Sequence, residues 1–164
     1  MKEEEPSPIE ALDLTAEYQL VAVRECRSPE QMLEAADPEN IVAYWRTHII
    51  RHPAYNAEVE NLFVVLVGPT IRVKGHVFIS ACMPEFILST PGNVIRPAII
   101  GAAQGFIMIH NHPSGYSIPS KADVNLTGKV YRVSEVLEIP LIDHVIIGAG
   151  PNYTSFRRNG LLPS

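Results

Sequence analysis

Three side chains within a short span, His110, His112 and Asp123, have the donor types and spacing of a metal site. In extended backbone, residues two apart project from the same side. His110 and His112 therefore aim their imidazoles at one point, just past the apolar run Phe-Ile-Met-Ile at 106–109. Imidazole is a good ligand for zinc, and a His-x-His pair at a strand end builds half a site. Pro113, Ser114 and Gly115 read as a tight turn, and Pro119 limits the next helix upstream, so Ser120 falls at its N-cap. Asp123 then lies in the first helical turn, with a short carboxylate able to face back across the loop. Two histidines and one carboxylate leave a fourth position for water, whose pKa a metal lowers to about 7. The chemistry implied is metal-assisted hydrolysis.

Simpler readings of the parts stay open. Ser-x-x-Asp is close to a capping box, in which Asp123 serves a backbone N–H. His-x-His also occurs as polar trim at a sheet edge. Taken together, histidines ending an apolar strand, a Pro/Gly-shaped loop and an acid at a helix start are hard to explain as packing. Other hydrolytic patterns are missing. His-Glu-x-x-His, Gly-x-Ser-x-Gly and a phosphate loop do not occur, nor does the His-x-Glu and Pro-Cys-x-x-Cys pairing of zinc deaminases. The letters His-Asn-His are not those of an HNH nuclease, whose motif residues are spread over a longer segment.

Several elements must position these residues. A strand is expected from Tyr18 to Val23, and helix starts at Ser28-Pro29 and Asp37-Pro38, the second followed by Ile41, Tyr44, Trp45, His48 and Ile49 at helical spacing. Leu62 to Val67 reads as a strand buried on both faces. Gly68-Pro69-Thr70 turns the chain into an antiparallel strand over Val73 to Ile79. A helix is expected from Val94 to Gln104, a core strand from Phe106 to Ile109 and a helix from Ser120 to about Glu138. Strands from Leu141 to Gly148 and near Tyr153 to Phe156 complete the pattern. The fold class is α/β with a mixed sheet (equally, α+β).

The chain of 164 residues fits one domain, read as an acidic, Pro-containing tail over residues 1–14 and a folded unit over 15–164. A hydrophobic fraction of 46% and a charged fraction of 19% are ordinary for a soluble protein. Net charge is −5 without a basic stripe, which argues against a dedicated nucleic-acid binder. Two distant cysteines, Cys26 and Cys82, imply neither a disulfide framework nor a thiolate zinc site. The start is no signal peptide and no apolar run is long enough to cross a bilayer, so no membrane partner and a cytoplasmic location are expected.

His110-x-His112, Ser120 and Asp123 at this spacing resemble the JAMM (MPN+) metalloprotease signature. His-Asn-His-Pro-Ser-Gly, Asp143-His144-Val-Ile-Ile-Gly, Ser155-Phe156-Arg157, Gly160-Leu161-Leu162, Ser80 and Arg96-Pro97-Ala98 are similar to the RadC branch. The resemblance covers roughly residues 28 to 162. It implies a cytidine-deaminase-like α-β-α sandwich of JAB/MPN type, one zinc held by His110, His112 and Asp123, and hydrolysis of a peptide or isopeptide bond, with a peptide, protein or ubiquitin-like conjugate as substrate. The family also uses an upstream glutamate as general base. Glu58 and Glu60 both precede the strand at Leu62, and matching to the RadC pattern selects Glu60. Ser120 matches the motif serine, with the role of bonding to the oxyanion.

The chain departs from the RadC pattern at Cys82-Met83 and at Thr90 to Asn93, none of them metal positions. No counterpart of the helix-hairpin-helix segment of full-length RadC proteins is expected within these 164 residues. A non-catalytic protein-binding module associated with DNA repair is the alternative function, and a metal-dependent nuclease a weaker third. Cys82 reads as a core or loop residue, and His48, His52 and His76 as surface or helix-face residues. Asp143 and His144 read either as orienters of a ligand histidine or as ordinary strand-end polarity.

Overall fold

The first helix, α1 (Pro38–Thr47), starts where the sequence says it should. Asp37 caps it by accepting a hydrogen bond from the Glu39 N–H at 3.2 Å, and Pro38 takes a first-turn place where its missing N–H costs nothing. The helix buries Ile41, Val42, Tyr44 and Trp45, and a single 3-10 turn, Ile49–Arg51, ends it. The computed structural model describes residue 35, residues 37–83 and residues 89–163. The tail over residues 1–14, the strand at 18–23 and the helix start at Ser28 lie outside the described residues.

Among the described residues, five strands form one mixed sheet in the order β2-β1-β3-β4-β5. Strand β1 (Glu60–Val67) is buried throughout, as its unbroken apolar run demands, and turns back into β2 (Val73–Cys82). It also pairs antiparallel with β3 (Gly105–Asn111). Strand β3 runs parallel to β4 (Leu141–Ile147), and β4 pairs antiparallel with the short β5 (Tyr153–Ser155). The parallel crossover between β3 and β4 carries the long helix α3 (Lys121–Val136).

Alternation along the strands divides the core in two. Phe63, Val65, Ile107, Ile109 and Val145 face α1, where Trp45 meets Phe63 edge-on with ring centroids 5.8 Å apart. Leu62, Val64, Phe106 and Met108 face α3 and the helix α2 (Pro91–Ile100), contributing Val94, Ile95, Ala98, Leu126 and Val130 to that layer. Full burial of each of these side chains larger than Ala98 stabilises the fold by about 1.5–3 kcal/mol. The architecture is therefore the expected α-β-α sandwich of JAB/MPN type. No helix among the described residues is long and apolar enough to cross a membrane.

Helix α2 corrects the sequence expectation of a helix over 94–104. It begins earlier, because Thr90 caps it through the Asn93 N–H at 3.3 Å and Pro91 opens it. It stops before Gly101, where a Cβ would meet Leu66 at 2.7 Å, and Ala102 then takes a positive φ of 44°.

Candidate metal centre

Register brings distant residues to one face of the sheet. Leu62 pairs with His110, so both project toward α2 and α3. His112 stands two residues beyond His110 and Glu60 two before Leu62, which puts both on that same face. Asp123 comes from the first turn of α3, where the expected capping box forms: Asp123 N–H donates to Ser120 Oγ at 3.1 Å, and Ser120 N–H donates to Asp123 Oδ2 at 2.7 Å.

Three electron-pair donors converge there. His110 Nε2 lies 3.0 Å from His112 Nε2 and 3.3 Å from Asp123 Oδ1, and one donor atom from each residue fits within 4.8 Å of the others. A tetrahedral zinc ion spaces its ligand atoms about 3.3 Å apart, so the cluster has the right dimensions. The two carboxylate oxygens of Asp123 are treated differently. Oδ2 receives the Ser120 N–H and, at 2.6 Å, the Ser120 hydroxyl, whereas buried Oδ1 has no hydrogen-bond donor among the described residues. His112 Nδ1 sits 2.9 Å from the Tyr116 carbonyl, an atom that only accepts. The hydrogen of a neutral His112 is thus on Nδ1, and Nε2 offers its electron pair to the cluster. An orphaned buried oxygen beside unprotonated nitrogen is what a cation satisfies.

Electrostatics agree with this arrangement. Burial depresses the His110 pKa to about 4, with His112 pulling the same way and Asp123 opposing. Burial pushes Asp123 up, but contacts with His112, His110 and Ser120 outweigh it and hold the carboxyl well below its usual range. For His112, burial is outweighed by the Asp123 carboxylate and the Tyr116 carbonyl, and the pKa rises. Burial raises the Glu60 carboxyl, the charge of His112 opposes it and that of Asp123 reinforces it. Glu60 is only 9% exposed, feels the charges of His112 and Asp123, and no side chain among the described residues hydrogen-bonds its carboxylate.

The loop carrying His112 is packed tightly against the end of β4. The His112 N–H donates to the Ile147 carbonyl at 2.9 Å, and the Ala149 N–H to the Gly115 carbonyl at 2.8 Å. A Cβ on Gly148 would meet that Gly115 carbonyl at 2.6 Å, so only glycine lets the loop approach.

Other readings are sorted by the geometry. His144 is wholly buried with Nε2 2.9 Å from His110 Nδ1, whereas Asp143 touches no ligand and instead holds the backbone N–H groups of His144 and Arg157 and the Ser155 hydroxyl. Cys82 ends β2 opposite Glu60 and is partly exposed. His48, His52 and His76 are half-buried instead of lying on the surface, since they pack with Tyr44, Phe63 and Phe78 in an aromatic cluster. Three residues the sequence reading passed over also matter: Asn61 and Asn111, buried and hydrogen-bonded to each other, and Thr127 beneath Asp123. A polar residue inside an apolar strand was the available signal for the asparagines. Thr127 gave none.

The layered fold and the converging His, His and Asp define a JAB-type domain with a candidate metal site. The chain belongs to the RadC-like JAB domain family, which it matches over residues 35–161. Similar curated proteins include a UPF0758 protein of Carboxydothermus hydrogenoformans, 30% identical over 119 residues (73% of this chain, 50% of that protein). A UPF0758 protein of Symbiobacterium thermophilum is 35% identical over 108 residues, 63% of this chain and 44% of that protein. One of Histophilus somni is 46% identical over 70 residues, 43% of this chain and 31% of that protein. The chain spans about half the length, or less, of these relatives.

Proposed function

We propose that the chain is a JAMM-type zinc hydrolase that cleaves a peptide or isopeptide bond. The observation that carries this reading is the orphaned Asp123 Oδ1 beside His110 Nε2, with the unbonded Glu60 carboxylate on the same sheet face. A three-ligand set of imidazole and carboxylate with an open position suits zinc in a hydrolytic role. Zinc, when bound, supplies Lewis acidity and an activated water.

Glu60 takes the proton as water oxygen attacks the carbonyl carbon, then gives it to the amine nitrogen as the C–N bond breaks. Its raised pKa suits both halves of that exchange. Ser120 first orients Asp123. Its N–H and hydroxyl both hold Asp123 Oδ2, and the hydroxyl would turn from that oxygen to donate to the oxyanion, leaving the N–H to orient the carboxylate. Tyr116 and Ile118, 72% and 74% exposed on the loop between His112 and Ser120, offer apolar footing to a peptide or ubiquitin-like chain.

The test uses the purified full chain, metal analysis, and peptide and isopeptide-linked ubiquitin-like substrates. One zinc per chain is expected, with cleavage lowered by about 10²–10⁴-fold or abolished in Glu60→Gln while zinc is retained. Unchanged turnover in that variant removes Glu60 from the mechanism. A chain without stoichiometric zinc, equally stable in chelator, is a binding module instead.

A further inference from the structure

Hydrogen-bond polarity runs in one direction from α3 to the metal site. Thr127 Oγ1 lies 2.6 Å from the Asp123 carbonyl, one turn earlier, and 2.6 Å from His144 Nδ1. A carbonyl oxygen only accepts, so the single hydroxyl hydrogen goes to Asp123. Toward His144 the hydroxyl therefore accepts, which places a hydrogen on His144 Nδ1. A neutral imidazole carries one N–H, so His144 Nε2 is an acceptor and takes its hydrogen from His110 Nδ1 at 2.9 Å. His110 Nε2 is left with a free electron pair facing His112 Nε2 and Asp123 Oδ1.

The surroundings hold this chain rigid. His144 and His110 are fully buried, and both nitrogens of the His144 ring are occupied by the contacts to Thr127 and His110. The His144 ring stacks on Phe156 with centroids 4.7 Å apart and planes 27° apart, and its backbone N–H is bound by Asp143 at 2.7 Å. We propose that Thr127 and His144 are positioning residues: their directional hydrogen bonds fix His110 with Nε2 as the metal donor and couple that ligand to the helix turn bearing Asp123. This rests on the metal-site reading above. It adds that two ligands from different elements are locked to each other through α3, so that neither tautomer nor ring angle need be found when metal arrives.

The experiment measures zinc affinity of the full chain by competition with a chromophoric chelator, and ring tautomers of the zinc-free chain by long-range ¹H–¹⁵N NMR. Wild type is expected to carry its His110 hydrogen on Nδ1. Thr127→Val, which keeps the shape and loses the hydroxyl, is expected to weaken zinc about 10–100-fold, as is His144→Ala. Thr127→Ser restores most of the affinity. Thermal unfolding of the zinc-free variants separates loss of fold from loss of metal, and the Thr127 pair decides the matter if His144→Ala does not fold. Wild-type zinc uptake with equal affinity in Thr127→Val, or a His110 hydrogen on Nε2, overturns this inference alone. No zinc uptake by wild type overturns the metal reading and the inference together.

Discussion

Asn111, standing between the two histidine ligands, accepts hydrogen bonds at Oδ1 from both the backbone N–H and the side-chain amide of Asn61, at 3.0 and 2.9 Å. Its own amide donates to the Val59 carbonyl at 2.9 Å, which Asn61 also reaches at 2.8 Å. Val59 and Asn61 flank Glu60. Alternation sends the asparagines to one face of the sheet and Glu60, His110 and His112 to the other. The middle residue of the histidine motif thus ties the backbone around the proposed base to the strand that carries the metal ligands.

Replacing Asn111 by Ala strands the buried Asn61 N–H without a partner, at a cost of about 1–3 kcal/mol. Because the ligands stay in place, one zinc per chain is expected to remain. Turnover is expected to fall, since the backbone that aims Glu60 is loosened. Denaturant unfolding, metal analysis and kcat on a cleavable substrate check this; a variant that is less stable but turns over normally refutes the positioning role.

Zinc affinity should follow one proton, not two, between pH 5 and 6. Burial holds His110 near 4 and its neighbours hold Asp123 lower still, so neither has a proton to lose in that range. His112 is the exception, because Asp123 and Tyr116 raise it above an ordinary histidine. Below that raised pKa the metal must displace the His112 proton, and affinity drops about tenfold per pH unit. The second proton enters only toward pH 4. The zinc-free fold carries opposite linkages: the His110 contribution is present above about 6.5 and lost as pH falls to about 4, whereas that of His112 is present below about 6.5 and lost as pH rises. Dissociation constants measured by chelator competition at several pH values read the slope directly, and two decades per unit across pH 5–6 would contradict it.

The part of the site legible in the sequence is the part built locally. His110 to Asp123 spans a strand end, a Pro/Gly loop and a capped helix, each with its own residue signature, and all three form. Glu60 needed strand pairing across a long stretch of chain, which a periodic pattern cannot supply, and it came only through resemblance. Helix α2 was displaced because Gly92 and Asn93 masked the Thr90-Pro91 start, although Asp37-Pro38 carried the same signal and was read correctly. Thr127 on the buried face of α3 looks like any small helix residue; its direction of donation exists only once His144 from β4 is packed against it.

Asp143 sets a separate test, on stability and not on metal. Its carboxylate binds the N–H groups of His144 and Arg157 at 2.7 and 2.9 Å and the Ser155 hydroxyl, closing the segment after β5 onto β4 beside His144. Burial raises its pKa even though these donors and the Arg157 charge pull it down. A carboxyl whose folded pKa exceeds its unfolded value of about 3.9 favours the fold when protonated and loses that advantage as pH rises through the folded pKa. Asp143→Asn keeps an oxygen for the two N–H groups and removes the charge, so its stability relative to wild type should improve between pH 4 and pH 7. Asp143→Ala leaves three donors unpaired in the interior and should lose about 3 kcal/mol or more. Urea unfolding of the zinc-free proteins at both pH values distinguishes the two: an alanine variant as stable as wild type, or an asparagine variant that loses ground as pH rises, is inconsistent with a buried charge that clamps the C-terminal segment.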